Sequence, residues 1–500
     1  SNFEFTSRGF DLIRIRTDHP AVVKTDILVL MVFEDGAAYK DPQLQELADR
    51  ALDWPEFSGK TADELMFYDI QGVKAKRTLV LGVGKAADSD AETLRRAAGR
   101  AVNRAIGLDQ SSLLICAPEP ETGPTDRNAA AEAVMEGAVL ANYRFDLYKK
   151  DKKHKPVNTI EFYAEAGFEK RAGRIAEKTG AVCRGTLLAR DWVNMPPNEK
   201  RPSRFARSIV KAAQKQSMDT VVLDTGDLKK NRMRALLSVA SGSSSRPQMV
   251  ILDYRPESWE KTIALVGKGV TFDSGGINIK PASGLETMKQ DMAGAAAVAA
   301  ALISAADTCF SNRLVGVIPL VENMPSGTAY RPGDIVKTAS GKTVEIGNTD
   351  AEGRMILADA LDYAVRQYSP DALIDLATLT GACKVALGEK IAGVFSPDSK
   401  LSGLIAESGR KTHERCWSMP MPDDYREMLK SDFADIKNVG QNRWGGAIAA
   451  ALFLSEFTGG SIWAHIDIAG PAYAGSSGDY CPPGGTGFGV RLLMDLIEKL

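Results

Sequence analysis

Histidine is scarce in this chain: four among 500 residues, at His19, His154, His413 and His465, too scattered to form a motif. HExxH is absent, which argues against a zinc protease built on histidine ligands, and GxSxG is absent too. The six cysteines (Cys116, Cys183, Cys309, Cys383, Cys416, Cys481) show no CxxC pair, no regular spacing and no recognisable catalytic setting. Most lie in apolar surroundings, as reduced thiols do in a reducing compartment. A phosphate loop is also missing. GxxxxGK must be followed by Ser or Thr, yet Gly269 follows Lys268 and Ala86 follows Lys85, while GGTGFG near the C-terminus lacks GxGxxG spacing.

Long apolar runs are absent as well. The stretch Ala293 to Ala306 has the least polarity and is too short to span a bilayer. The opening SNFEF has neither the charged nor the apolar region of a signal peptide, so the expected location is the cytoplasm. A net charge of −2 exerts no global pull toward nucleic acid or an anionic membrane.

What is present is an ordinary globular composition, 44% hydrophobic and 25% charged, in a length that calls for two domains. Apolar runs at Ile27 to Phe33, Thr78 to Val83 and Leu113 to Cys116, with Thr159 to Tyr163, alternate with helical periods at Pro42 to Leu52, Ala91 to Ile106 and Asn128 to Tyr143. This predicts an N-terminal α/β domain over 1–166. A connecting helix follows over 167–194, ended by Pro196 and Pro197. The C-terminal domain, 195–500, again alternates. Strands are expected at Thr220 to Leu223, Met249 to Leu252, Ile263 to Val266, Leu314 to Leu320, Ala372 to Leu376 and Ile462 to Ile468. The fold class is therefore α/β in two domains, each a mixed or parallel sheet sandwiched between helices, the C-terminal one larger.

The chemistry concentrates between Val266 and Arg354, in VGKGVTFDSGG, MKQDM and NTDAEGR. Lys268, Asp273, Asp291, Asp350 and Glu352 supply four carboxylates and one amine from separate places, with Lys280 and Arg354 nearby. Hard divalent cations prefer carboxylate oxygens. A pair of cations would use all four carboxylates and leave Lys280 and Arg354 facing substrate, a two-metal hydrolytic arrangement. Taken singly, each motif has an ordinary explanation. Glycines around Lys268 make a tight turn, Asp291 is a helix N-cap, and NTDAEG is a surface turn. Asp350 and Glu352, two apart, share a face if that segment is extended. His465, in an apolar strand, is expected to be a hydrogen-bonded core residue.

With these residues assembled, the chain resembles the leucine aminopeptidases of the dinuclear, hexameric cytosolic family. NTDAEGR carries the likeness most specifically, and VGKGVTFDSGG, Lys280 and MKQDM agree in spacing. Asp375 to Ala382 (DLATLTGA), Trp463 to Ala472 (WAHIDIAGPA) and Gly484 to Leu493 (GGTGFGVRLL) also match. The likeness is strong from about residue 185 onward, and in layout only before it.

The resemblance implies an exopeptidase that releases N-terminal leucine and other hydrophobic residues from peptides with a free N-terminus. Its cofactors would be two divalent ions per subunit, Mn2+ or Zn2+. Lys268, Asp273, Asp291 and Glu352 would bind one ion; Asp273, Asp350 and Glu352, with the Asp350 carbonyl oxygen, would bind the other. Lys280 and Arg354 would be catalytic, with a bicarbonate near Arg354 serving as base, and Met288, Thr378 and Gly381 would line the pocket for the N-terminal side chain. The assembly implied is a homohexamer of two stacked trimers without membrane attachment. The alternative is a DNA-binding accessory factor on the same fold. The basic runs Lys149 to Lys155 and Lys229 to Arg234 permit it, and the balanced net charge gives it no support.

Overall fold

The computed structural model of the protein describes residues 13–119, 124–152, 155–216 and 218–500. The opening SNFEF, and Lys153 and His154 of the first basic run, lie outside the described residues. Contacts divide the chain into two compact units, Ser1–Arg184 with Ser476–Pro483, and Gly185–Gly475 with Gly484–Leu500.

In the first unit, β1 (Ile13–Arg16), β2 (Ile27–Val32), β3 (Glu64–Tyr68), β4 (Arg77–Gly82), β5 (Ser112–Cys116) and β6 (Thr159–Tyr163) form one sheet in the order β1-β6-β5-β2-β4-β3. Each pair is parallel except β3 with β4. Central β2 is buried at every position, so both faces of the sheet are covered. Periodicity did not reveal β1 and β3, because edge strands bury less and carry polar residues such as Arg14 and Glu64. Helices α1 (Pro42–Leu52), α2 (Ala91–Gly107) and α3 (Arg127–Ala141) each open on an aspartate, Asp41, Asp90 or Asp126, whose carboxylate accepts a first-turn N–H. A Cβ at Gly137 of α3 would fall 2.0 Å from the Arg95 carbonyl oxygen, so glycine there lets α2 and α3 touch. The late segment Ser476–Pro483 is held on α2: Arg96 pairs with Asp479 at 2.6 Å, and Tyr480 donates to Glu92 at 3.1 Å. Nothing in the sequence pattern marks this excursion.

Helix α4 (Glu169–Asn194) runs unbroken through the point where the contacts divide the chain. The second unit then contains β7 (Asp219–Leu223), β8 (Gln248–Tyr254), β9 (Thr262–Gly267), β10 (Gly269–Asp273), β11 (Arg313–Asn323), β12 (Ile335–Lys337), β13 (Thr343–Glu345), β14 (Ala372–Ala377), β15 (Ala392–Phe395), β16 (Cys416–Ser418), β17 (Ile436–Lys437) and β18 (Trp463–Asp467). The main sheet has the order β16-β15-β18-β14-β9-β11-β8-β7, with β10 beside the end of β11; β12, β13 and β17 make a small separate sheet. The middle strands β18, β14, β9 and β11 are parallel, while β8 and β15 run antiparallel to their inner neighbours. The helices are α5 (Pro202–Gln214), α6 (Thr225–Lys230), α7 (Arg234–Ala240), α8 (Ala282–Leu285), α9 (Ala293–Asp307), α10 (Glu352–Tyr368), α11 (Gly381–Leu387), α12 (Ser399–Thr412), α13 (Gly446–Ser455) and α14 (Val490–Ile497).

Two polar groups sit inside this core fully paired. Asp359 of α10 accepts the Leu236 N–H of α7 at 3.0 Å and the Ala339 N–H at 2.7 Å. Asp375 of β14 meets His465 Nδ1 of β18 at 2.6 Å and accepts Trp463 Nε1–H at 2.8 Å, and Phe395 stacks on the imidazole. His465 is thus a buried, hydrogen-bonded core histidine. Among the described residues no helix is long and apolar enough to cross a membrane.

Candidate active site

The parallel middle strands end on one side of the sheet, the side where open α/β sheets carry their sites. Lys268 is the single residue between β9 and β10. The register then sets Asp273, at the end of β10, beside Asn323, the last residue of β11. Helix α9 begins almost in contact with these strand ends. A Cβ at Gly294 would lie 2.1 Å from the Leu376 oxygen, and one at Gly267 would lie 2.7 Å from Ala295 Cα. Small residues therefore bring the turn before α9, and Asp291 with it, up to Lys268.

Asp291 is not the cap of α9. Met292 holds that position without a side-chain bond, while Asp291 Oδ1 receives Lys268 Nζ at 2.7 Å and Thr378 Oγ1 at 2.7 Å. Lys268 Nζ also lies 2.8 Å from Glu352 Oε1 and donates to the Thr378 carbonyl at 2.8 Å. Lys280 Nζ bridges the other two carboxylates, at 2.8 Å from Asp273 Oδ2 and 2.5 Å from Asp350 Oδ1. Asp350 and Glu352 come together differently from the expected extended pair. Asp350 lies in a turn, Ala351 has φ −101° and ψ 40°, and Glu352 is the first residue of α10. The helix start, rather than strand alternation, aims both inward.

The electrostatics are those of a dry, charge-dense cluster. Lys268, Asp273, Asp291 and Glu352 are each 5% exposed or less. Burial raises the Asp291 carboxyl to about 7, Glu352 adds to the rise, and Lys268 opposes it. Asp273 is pushed well above its ordinary value by burial and by the Glu352 and Asp291 charges. Glu352 goes the other way: burial would raise it, but Lys268 and Lys280 outweigh that and hold it ionised. Burial works against charge on both lysines, yet the surrounding carboxylates raise both. Oxygens of Asp273, Asp350 and Glu352 all lie within 4.8 Å of one another, close enough to share a cation. Asp291 Oδ2, though buried, has no hydrogen-bond partner. An all-carboxylate cradle with an orphaned oxygen fits hard divalent cations.

Arg354, in the first turn of α10, is 7% exposed and donates from Nη1 to the Asn438 carbonyl at 2.7 Å. Its Nε is buried without a partner, and burial lowers the guanidinium to about 10. The pocket residues named from the sequence fare unequally. Thr378 is tied to Asp291 and Lys268, as above; Met288 is half-buried in the turn Met288–Gln290; Gly381 is exposed at the start of α11, with open space where a Cβ would stand. Sequence reasoning missed two asparagines. Asn323 donates to Asp273 Oδ1 at 2.8 Å and to the Thr349 carbonyl at 3.0 Å. Asn438, fully buried, accepts the Gly347 N–H and holds the loop leading to Asp350. A polar residue closing the apolar run LVGVIPLVEN was the available signal for Asn323; Asn438 had none.

The family model described as "Cytosol aminopeptidase family, catalytic domain" matches residues 187–494, and that of the family's N-terminal domain matches 29–152. A protein named probable cytosol aminopeptidase from Geobacter sp. (strain M21) is 42% identical over 97% of this chain and 99% of its own length. One of the same name from Chlorobaculum tepidum is 44% identical over 89% and 90%. Among solved structures, a mutant of tomato leucine aminopeptidase superposes with a TM-score of 0.85 at 31% identity, covering 98% of this chain and 96% of that one. The bottromycin maturation enzyme BotP in complex with Mn gives 0.83 at 35% identity, covering 95% and 99%. With both domain models matched and full-length relatives above 40% identity, this chain belongs to the cytosol aminopeptidase family.

Proposed function

We propose that this aminopeptidase removes N-terminal leucine and other hydrophobic residues from peptides using two divalent cations. The observation that carries the proposal is the convergence of Lys268, Asp273, Asp291, Asp350 and Glu352 from separate segments on one buried cluster. Lys268, Asp273, Asp291 and Glu352 would hold one cation, and Asp273, Asp350 and Glu352, with the Asp350 carbonyl oxygen, the other. When bound, such a pair supplies Lewis acidity and a nucleophilic water at neutral pH. Mn2+ and Zn2+ are the candidate ions, and the Mn complex of BotP favours testing Mn2+ first.

The chain's own groups have distinct tasks. Lys268 can ligate only after losing its proton, so it acts as a ligand once a cation replaces that proton. Lys280 keeps its ammonium and would hydrogen-bond the carbonyl oxygen as it gains charge. Arg354, with a buried unpaired Nε, is suited to a planar anion, and bicarbonate there would serve as base. Met288, Thr378 and Gly381 would bound the pocket for the N-terminal side chain. Two stacked trimers are the proposed assembly, so light scattering should give about six chain masses.

Arylamide hydrolysis tests the function. Leucyl-arylamide should be cut in the presence of Mn2+ or Zn2+, and the N-acetylated form should lose nearly all turnover. Comparable cleavage of the blocked substrate would reassign the chain to endopeptidase or amidase chemistry.

A further inference from the structure

Among the described residues, Lys200 is the one lysine outside the carboxylate cluster that is buried to 2% exposure. It follows the proline break after α4, where a turn closes from the Lys200 N–H to the Pro197 carbonyl. No carboxylate among the described residues holds its ammonium. Its three N–H bonds have three backbone carbonyls instead: Trp192 at 2.7 Å, Val193 at 3.0 Å and Lys289 at 2.7 Å. Trp192 and Val193 belong to the last turn of α4, whose carbonyls have no partner within the helix and form the negative end of its dipole. Lys289 is the middle of the turn Met288–Gln290 that ends on Asp291. That turn and the short α8 before it contribute no buried residue of their own, so polar ties must hold them. Lys289 Nζ reaches back to the Asn194 carbonyl at 3.4 Å.

We propose that Lys200 is a positioning residue of the active site: it fastens the Met288–Asp291 turn to the C-terminal end of α4 and so sets where the Asp291 carboxylate and the Met288 side chain stand. This rests on the aminopeptidase assignment above, with Asp291 as a cation ligand and Met288 at the pocket. An outer partner that fixes a ligand in this way typically changes cation affinity or activity by about 10–100-fold.

Lys200→Met keeps the length and apolar stem and removes all three donors. In metal-free protein, amide exchange over residues 286–291 should quicken at least about 10-fold in this variant, while exchange in the strands β9 and β14 stays unchanged. Mn2+ titration should show one site weakened about 10–100-fold, and kcat/KM should fall more for leucyl- than for alanyl-arylamide. Lys200→Gln, which retains a donor amide, should fall between Lys200→Met and wild type, and it decides by the same readouts if Lys200→Met fails to fold. A folded variant with unaltered exchange over 286–291, unaltered Mn2+ affinity and an unaltered leucyl-to-alanyl ratio overturns the proposal, even if its Tm is lower. Absence of Mn2+ binding and peptidase activity in the wild type would instead refute the functional assignment, and the exchange measurement would still judge Lys200.

Discussion

A Cβ at Gly353 would stand 2.5 Å from Cε of Lys268 and 2.8 Å from its Nζ. The glycine of NTDAEGR is therefore the space that the Lys268 side chain occupies. Lys268 cannot swing aside freely, because three partners fix its ammonium. Gly353→Ala should lower stability by about 1–3 kcal/mol, the usual cost of overpacking. It should also cut activity far more than a surface change does. Urea unfolding and kcat/KM measured together would check this; a fully active, fully stable variant would refute that fit.

The two site lysines should fail in different ways. Lys280 bridges Asp273 and Asp350, so Lys280→Ala leaves those carboxylates less compensated and should tighten cation binding while kcat drops about 10²–10³-fold with little change in KM. Lys268→Ala should weaken one cation site and lose activity that high Mn2+ partly restores. Metal titration beside steady-state kinetics separates the two, and the reverse pattern would exchange the roles.

Chelation should abolish activity, and restoration should require about two ions per chain, the number a bridged site needs. Elemental analysis against recovered activity is the measurement. Full activity at a single equivalent would count against the paired-cation model.

Asp359→Ala removes the acceptor of two buried backbone N–H groups, on α7 and at Ala339. Each orphaned group costs about 1–3 kcal/mol, so a loss of about 2–6 kcal/mol in urea unfolding is expected. A change under about 0.5 kcal/mol, typical of surface sites, would mean that water or a rearranged loop replaces the carboxylate.

The His465–Asp375 pair predicts a pH signature. Burial works against charge on His465, but Asp375 outweighs it and raises the imidazole above its ordinary 6.5. A base with a raised folded value contributes its full stability below the unfolded pKa and loses it as pH rises through the folded one. The Tm difference between wild type and His465→Gln should thus be largest near pH 6 and shrink as pH increases above 6.5. A gap constant from about pH 6 to 9 would indicate a neutral histidine held by shape alone.

Much was legible before folding because it depends on local chemistry. Periodicity located the long helices and the central strands, and the carboxylate-rich motifs named the residues that meet at the strand ends. The sequence by itself determined the inventory: the four carboxylates, two lysines and an arginine gathered within one stretch of the chain. Only the tertiary structure decided how those groups pair. The register of β10 on β11 chose Asn323 for Asp273, and the start of α10, rather than an extended strand, turned Asp350 and Glu352 inward. Close approach at Gly294 and Gly267 brought Asp291 to Lys268 instead of leaving it a helix cap. Lys200 found one of its three carbonyls, that of Lys289, 89 residues away. Such contacts join segments distant in sequence, and their geometry follows from packing, which no local pattern encodes.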